Sequence, residues 1–237
     1  MTFNPEQTVA EIALANPATT RVFEHLGIDY CCGGKLSLRV ACERAKVPVS
    51  AALAAIEEPL AAPDAGVAND AALGEITQHI VKRHHAFVRG ESPRIQALLA
   101  KVCERHGHAH PELIEVKTRF NWLDAELSQH MRKEEHILFP YIESLGDRVN
   151  RAACFDSVEH PIEAMVAEHE NAGENLARIR AVTGGYAVPA DACGSFRALY
   201  AALEQFERDL HVHVHLENNI LFPRAIAAER ELRGSAK

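Results

Sequence analysis

The chain has 237 residues, a formal net charge of −8 and no basic block, which argues against nucleic acid as a partner. Hydrophobic residues make up 47% and aromatic residues 6%; with abundant Ala and no alternating Val/Ile/Thr run, this composition predicts an all-α fold. No run of about 18 apolar residues is present to span a membrane. The start, MTFNPEQTVAEIA, lacks the basic and apolar regions of an export signal, and the six Cys are scattered apart from one adjacent pair. Reduced thiols in a cytoplasmic protein are expected.

Residues 1–60 read as a small helical unit. Thr8 and Glu11 form a capping-box pattern before a first helix ending at Ala15. Asn16-Pro17 restarts a second helix, with Asn as its N-cap, and Gly27 stops it. A turn, Asp29-Tyr30-Cys31-Cys32-Gly33-Gly34-Lys35, leads to helical patterns at 37–45 and 50–57. Pro59, Pro63 and Gly66 mark 58–70 as a linker.

From residue 71 the helices lengthen. Leu73, Ile76, Ile80, Val81, Phe87 and Val88 define a helix expected to finish just after His84-His85, with a short helix after Pro93 and a His-rich loop at 106–111. A long helix then carries His130 and Glu134 to about Gly146. A third begins near Pro161, carries His169 and closes at Gly184-Gly185; a fourth runs from about 190 to 228. Four long helices in succession predict an up-down-up-down bundle over 71–237.

Two of these helices share an unusual inward stripe. In the fourth, Leu203, Phe206, Leu210, His213, Glu217 and Ile220 are spaced three or four apart. In the second, Phe120, Leu123, Leu127, His130, Glu134, Ile137 and Tyr141 keep the same spacing, and both segments end in Ile-Leu-Phe-Pro. A bare carboxylate facing a core costs roughly several kcal/mol unless a cation meets it. His213 follows His130 by 83 residues and His169 follows His85 by 84, so each half is one helix with a His and one with His-x-x-x-Glu. Four His and two Glu suit two metal ions bridged by carboxylates; without thiolate, the donors fit iron or manganese, and zinc is compatible.

The turn Asp29–Lys35 resembles the signature of the small N-terminal domain of the repair-of-iron-centres (RIC) proteins. The motifs His130-x-x-x-Glu134-Glu135, Glu168-His169 and His213-x-x-x-Glu217-Asn218-Asn219, with Leu-Phe-Pro after the first and last, resemble that family's hemerythrin-like bundle. The resemblance implies a non-haem di-iron protein with two oxo- and carboxylate-bridged irons, made under nitrosative or oxidative stress. It implies repair of damaged clusters in client iron–sulfur proteins, with iron donation as the leading reading. NO binding or reduction, peroxide chemistry, and O2 or NO sensing or storage are the rivals, and a homodimer is compatible.

Carried over by position, the ligands are His85, His130, Glu134, His169, His213 and Glu217, with the two carboxylates bridging. Helical phase places His84 nearer the centre of the apolar stripe, about 20° off against about 120° for His85. The family spacing to Arg89 favours His85, and His84 stays as the alternative. His106 aligns with a family His, although a solvated loop is expected for it and for His108 and His110. His136, His211, His215 and Glu135 are expected at the surface, and Cys42, Cys103, Cys154 and Cys193 as small core residues. Cys31 and Cys32 are expected to be a catalytic or otherwise functional thiol pair, accepting iron, binding NO or switching redox state. The bland alternative is a structural turn that needs Gly33 and Gly34 at positive φ.

Overall fold

The computed structural model describes residues 3–16, 18–57, 67–147 and 155–235. Most of the expected linker (58–66), Pro17 of the expected second-helix start, and Cys154 lie outside the described residues.

Four short helices open the chain: α1 Val9–Ala15, α2 Thr19–Leu26, α3 Leu38–Ala45 and α4 Val49–Glu57. The Thr8/Glu11 capping box is formed in both directions, and Gly27 ends α2 at φ 66°. Phe3, Ile12, Phe23, Tyr30, Leu38 and Ile56 pack into one cluster among these helices. Gly33 and Gly34 are not among the positive-φ residues. Gly34 is required for room instead: a Cβ there would sit 2.7 Å from the Tyr30 carbonyl oxygen, where α1 crosses the turn and Ala10 N–H donates to Gly34 O.

Four long helices follow. α5 (73–106) runs through Leu73–His79, a π-helical segment Ile80–His85 and Ala86–His106. α6 (112–146) comprises Glu112–Lys133, the π segment Glu134–Leu138 and Phe139–Gly146. α7 is Glu159–Val182, and α8 (194–235) joins Gly194–Leu216, the π segment Glu217–Leu221 and Phe222–Ser235. The start of α5 packs against the end of α6, and the start of α8 against the second half of α5, as an up-down-up-down bundle requires. Among the described residues, no helix is long and apolar enough to cross a membrane.

Two expectations need correction. The first long helix does not end after His84-His85: it continues through Pro93 to His106. A proline inside a helix costs about 3 kcal/mol, but Val88, Ile95, Leu99 and Val102 are all buried on one face, and their burial outweighs that loss. Ile137, expected inward, is 46% exposed, while Leu138 and Ile142 are buried. The cause is the π segment starting at Glu134, which adds one residue to a turn and rotates everything after it by about 100°.

Candidate metal centre

Each π segment coincides with a polar residue turned into the core. In α5 it brings His85 fully inside and leaves His84 buried beside it, with His84 Nδ1 3.0 Å from Asp209 Oδ2. In α6 and α8 it begins at Glu134 and Glu217, both completely buried. α7 contributes His169 without one.

The structure brings all six expected residues together as two overlapping groups. His85, Glu134, His213 and Glu217 form one; His130, Glu134, His169 and Glu217 form the other, and within each the donor atoms lie within 4.8 Å of one another. Both carboxylates face both groups. Glu134 Oε2 is 3.3 Å from His85 Nε2, and its Oε1 is 3.2 Å from His130 Nε2. Glu217 Oε1 is 2.9 Å from His213 Nε2, and its Oε2 is 3.0 Å from His169 Nε2.

Outer partners fix which ring nitrogen points inward. His85 Nδ1 lies 2.6 Å from Glu135 Oε1, His130 Nδ1 lies 2.9 Å from Glu168 Oε2, and His169 Nδ1 lies 2.9 Å from Asn218 Oδ1. Each Nδ1 is therefore engaged outward, which turns each Nε2 toward the centre. His130 Nε2 and His169 Nε2 lie 3.0 Å apart there. No hydrogen bond of good geometry reaches either oxygen of Glu134. Imidazole nitrogens and buried carboxylates that converge on one point fit a metal ion, and the residues present can hold one.

Electrostatics without a metal tell the same story. Burial works against charge on His130, but Glu134 overrides it and pushes the imidazole up to about 10. Burial works to raise the Glu217 carboxyl as well, yet His213 and His169 hold it well below the usual range. A proton on His130 stands where a cation belongs.

Glu135 is not a surface residue: the helix turn that buries Glu134 also lays Glu135 across His85, and Arg89 Nη2 binds the same oxygen at 2.7 Å. Asn218 does the equivalent for His169, and the signal for both was their position directly after the inward Glu in each half of the repeat. His215 is also buried, at 6% exposure, because the N-terminal unit covers that face of α8; its Nδ1 is 3.3 Å from the Tyr30 carbonyl oxygen. His211 is half-buried beside the Tyr30 ring, and His136 is exposed as expected.

The His-rich loop stays apart from the centre. His106 Nε2 lies 3.3 Å from Cys193 Sγ, and His110 binds Asp191. Cys193 is half-buried at the edge of the core rather than inside it. It caps α8, where the N–H groups of Phe196 and Ser195 together with His106 lower its thiol to about 7. Alkylation of Cys193 by iodoacetamide, mapped by peptide mass, is expected to rise with a midpoint near that pH. His106→Ala should move the midpoint upward, toward the ordinary thiol range.

A helical bundle of this topology, with inward His and His-Glu pairs drawn from its four helices, is of the hemerythrin class. Residues 77–225 match the family model described as "Hemerythrin HHE cation binding domain", and residues 5–60 match "Domain of Unknown function (DUF542)". Along its length the chain is similar to "Iron-sulfur cluster repair protein YtfE" of Pectobacterium atrosepticum, 38% identical over 226 residues covering 94% of this chain and 98% of the relative. It is similar to "Probable iron-sulfur cluster repair protein" of Haemophilus influenzae, 37% identical over 228 residues, 93% of this chain and 97% of that one. The protein of the same YtfE name in Escherichia coli O157:H7 is 36% identical over 226 residues, with 94% and 98% covered. The chain belongs to this family, in which a hemerythrin HHE bundle follows a DUF542 domain.

Proposed function

We propose that this is a non-haem di-iron protein that repairs iron–sulfur clusters damaged by nitrosative or oxidative stress, by donating iron to them. The observation that carries the reading is the pair of four-residue groups sharing Glu134 and Glu217. In this reading His85 and His213 hold one iron, His130 and His169 the other, and the two carboxylates bridge. Bound iron supplies the redox and transferable metal chemistry; the chain orients the imidazoles through Glu135, Glu168 and Asn218 and keeps water from the carboxylates. The names of the relatives support cluster repair, with iron–sulfur proteins as clients. Residues 1–60 and 71–237 act as two units. The five described cysteines are all unpaired, which suits a reducing cytoplasm.

A second reading has one observation in its favour. A cavity of about 30 Å³ adjoins His130, His169 and His213, with Trp122 and Leu127 in its wall. That is room for a molecule the size of water, so NO or O2 fits as a ligand.

One preparation tests both. Protein purified aerobically with iron supplied should carry two irons per chain with near-ultraviolet oxo-bridge absorption, and should rebuild an apo-cluster protein. One zinc and no iron would end the di-iron reading. Steady N2O formation with a reductant, and no iron transfer, would give the function to NO chemistry.

A further inference from the structure

Two thiols and a carboxylate meet on the turn between α2 and α3. Cys31 Sγ and Cys32 Sγ are 3.9 Å apart, and Cys31 Sγ is 3.2 Å from Asp29 Oδ1. Donor atoms of all three residues lie within 4.8 Å of one another. Asp29 Oδ1 also accepts the N–H groups of Cys31 and Cys32, each at 3.0 Å, which holds the carboxylate against the thiols.

The spacing suits a metal better than a disulfide. Cα atoms joined by a trans peptide are about 3.8 Å apart, short of the roughly 4.4–6.8 Å a disulfide spans. A tetrahedral ion with metal–sulfur bonds of about 2.3 Å sets its two sulfurs about 3.8 Å apart, close to the separation found here.

The turn lies between the binuclear centre and open solvent. On the inner side, Cys32 Sγ faces the carbonyl oxygen of His169 at 3.6 Å. Asn219, two residues past Glu217, donates to the carbonyls of Tyr30 and Cys31 at 3.4 and 3.3 Å. On the outer side is a cleft of about 830 Å³ lined by the turn and by the carboxylates of Glu24, Glu170 and Glu174. Arg44 and Arg180 also border it, but Arg180 is paired with Glu207 at 2.8 Å. The balance of charge around the mouth favours a cation.

We propose that Asp29, Cys31 and Cys32 form a mononuclear site for a thiophilic divalent cation, separate from the binuclear centre, with Fe²⁺ as its cargo. The identity of the cargo rests on the iron-donor reading above; the site rests on its own donors. Binding breaks two S–H bonds and forms two metal–sulfur bonds, so two protons leave and no oxidation state changes. Asp29 supplies the third donor, and the fourth position faces the cleft, where a client's own thiolate reaches it. An ion held this way passes readily to another thiolate.

The test titrates the full chain, with its iron in place, with Co²⁺. About one equivalent should give an intense thiolate-to-cobalt band and the visible bands of tetrahedral cobalt. Cys31→Ser/Cys32→Ser should abolish both while keeping its iron and its helical circular dichroism. Asp29→Asn should weaken the cobalt complex by about tenfold or more, because a neutral amide oxygen replaces a charged donor. Cobalt binding without a thiolate band, or a band that survives in the double serine variant, overturns the site. Iron transfer is read separately. If that variant delivers iron to an apo-cluster protein at the wild-type rate, Fe²⁺ is not the cargo of this site. If the wild type itself delivers none, the donor reading falls while the cobalt spectrum still decides the site.

Discussion

Glu134→Leu and Glu217→Leu should each strip the protein of iron while leaving a folded bundle. Each carboxylate belongs to both four-residue groups, so losing one removes a donor from both positions. Leu suits the surroundings, because Leu127, Leu138 and Phe139 are buried around Glu134 and Ile220, Leu221 and Phe222 around Glu217. The metal-free variants should be as stable as the metal-free wild type or more stable, by about 1–4 kcal/mol, since a buried ionic cluster is replaced by packing. Metal analysis and thermal unfolding of chelator-treated protein check this. Full iron in both variants would remove the carboxylates from the ligand set.

His85→Gln should lose iron, and His84→Gln should keep it. Both rings are buried, and sequence phase alone prefers His84. The π turn at Ile80–His85 reverses that preference by placing His85 Nε2 on Glu134, while His84 points its Nδ1 at Asp209. Each ring has an outer carboxylate, Glu135 for His85 and Asp209 for His84, but only His85 belongs to a four-residue group with Glu134 and Glu217. Loss of orienting partners alone typically lowers metal affinity about 10–100-fold, so loss of the ligand itself should exceed that. Iron content after gel filtration against a chelator separates the variants. The reverse pattern would mean that His84 is the ligand.

Much of the bundle was legible in the chain because its stripes recur at helical spacing and its halves repeat. The inward His-Glu pairs stood out for the same reason: charge on an apolar stripe needs an explanation. The rest is hidden for separate physical reasons. A π turn leaves no mark in composition, so the α period alone puts Ile137 in the place that Leu138 and Ile142 take, while Pro93 reads as a break in a helix that its buried face carries through. His215 and Asn219 lie off the inward stripe, and only the docking of the N-terminal unit on α8 shows why they are polar. The pairing of His106 with Cys193 joins residues 87 apart, a separation at which periodicity carries no information.

The three π turns also tie the iron site to the hydrophobic end of the bundle. Each acts as a one-residue insertion in its helix, and everything downstream is registered to it. Restoring ordinary pitch between Glu134 and Leu138 with the number of residues unchanged would swing Leu138, Phe139, Ile142 and Leu145 about 100° away from the cluster they share with Ile220 and Leu221. The lesion would be a broken core rather than a weaker ligand. A lineage that gave up iron could therefore discard the His and Glu side chains one by one, yet the offset in the backbone would persist as a fossil of the metal.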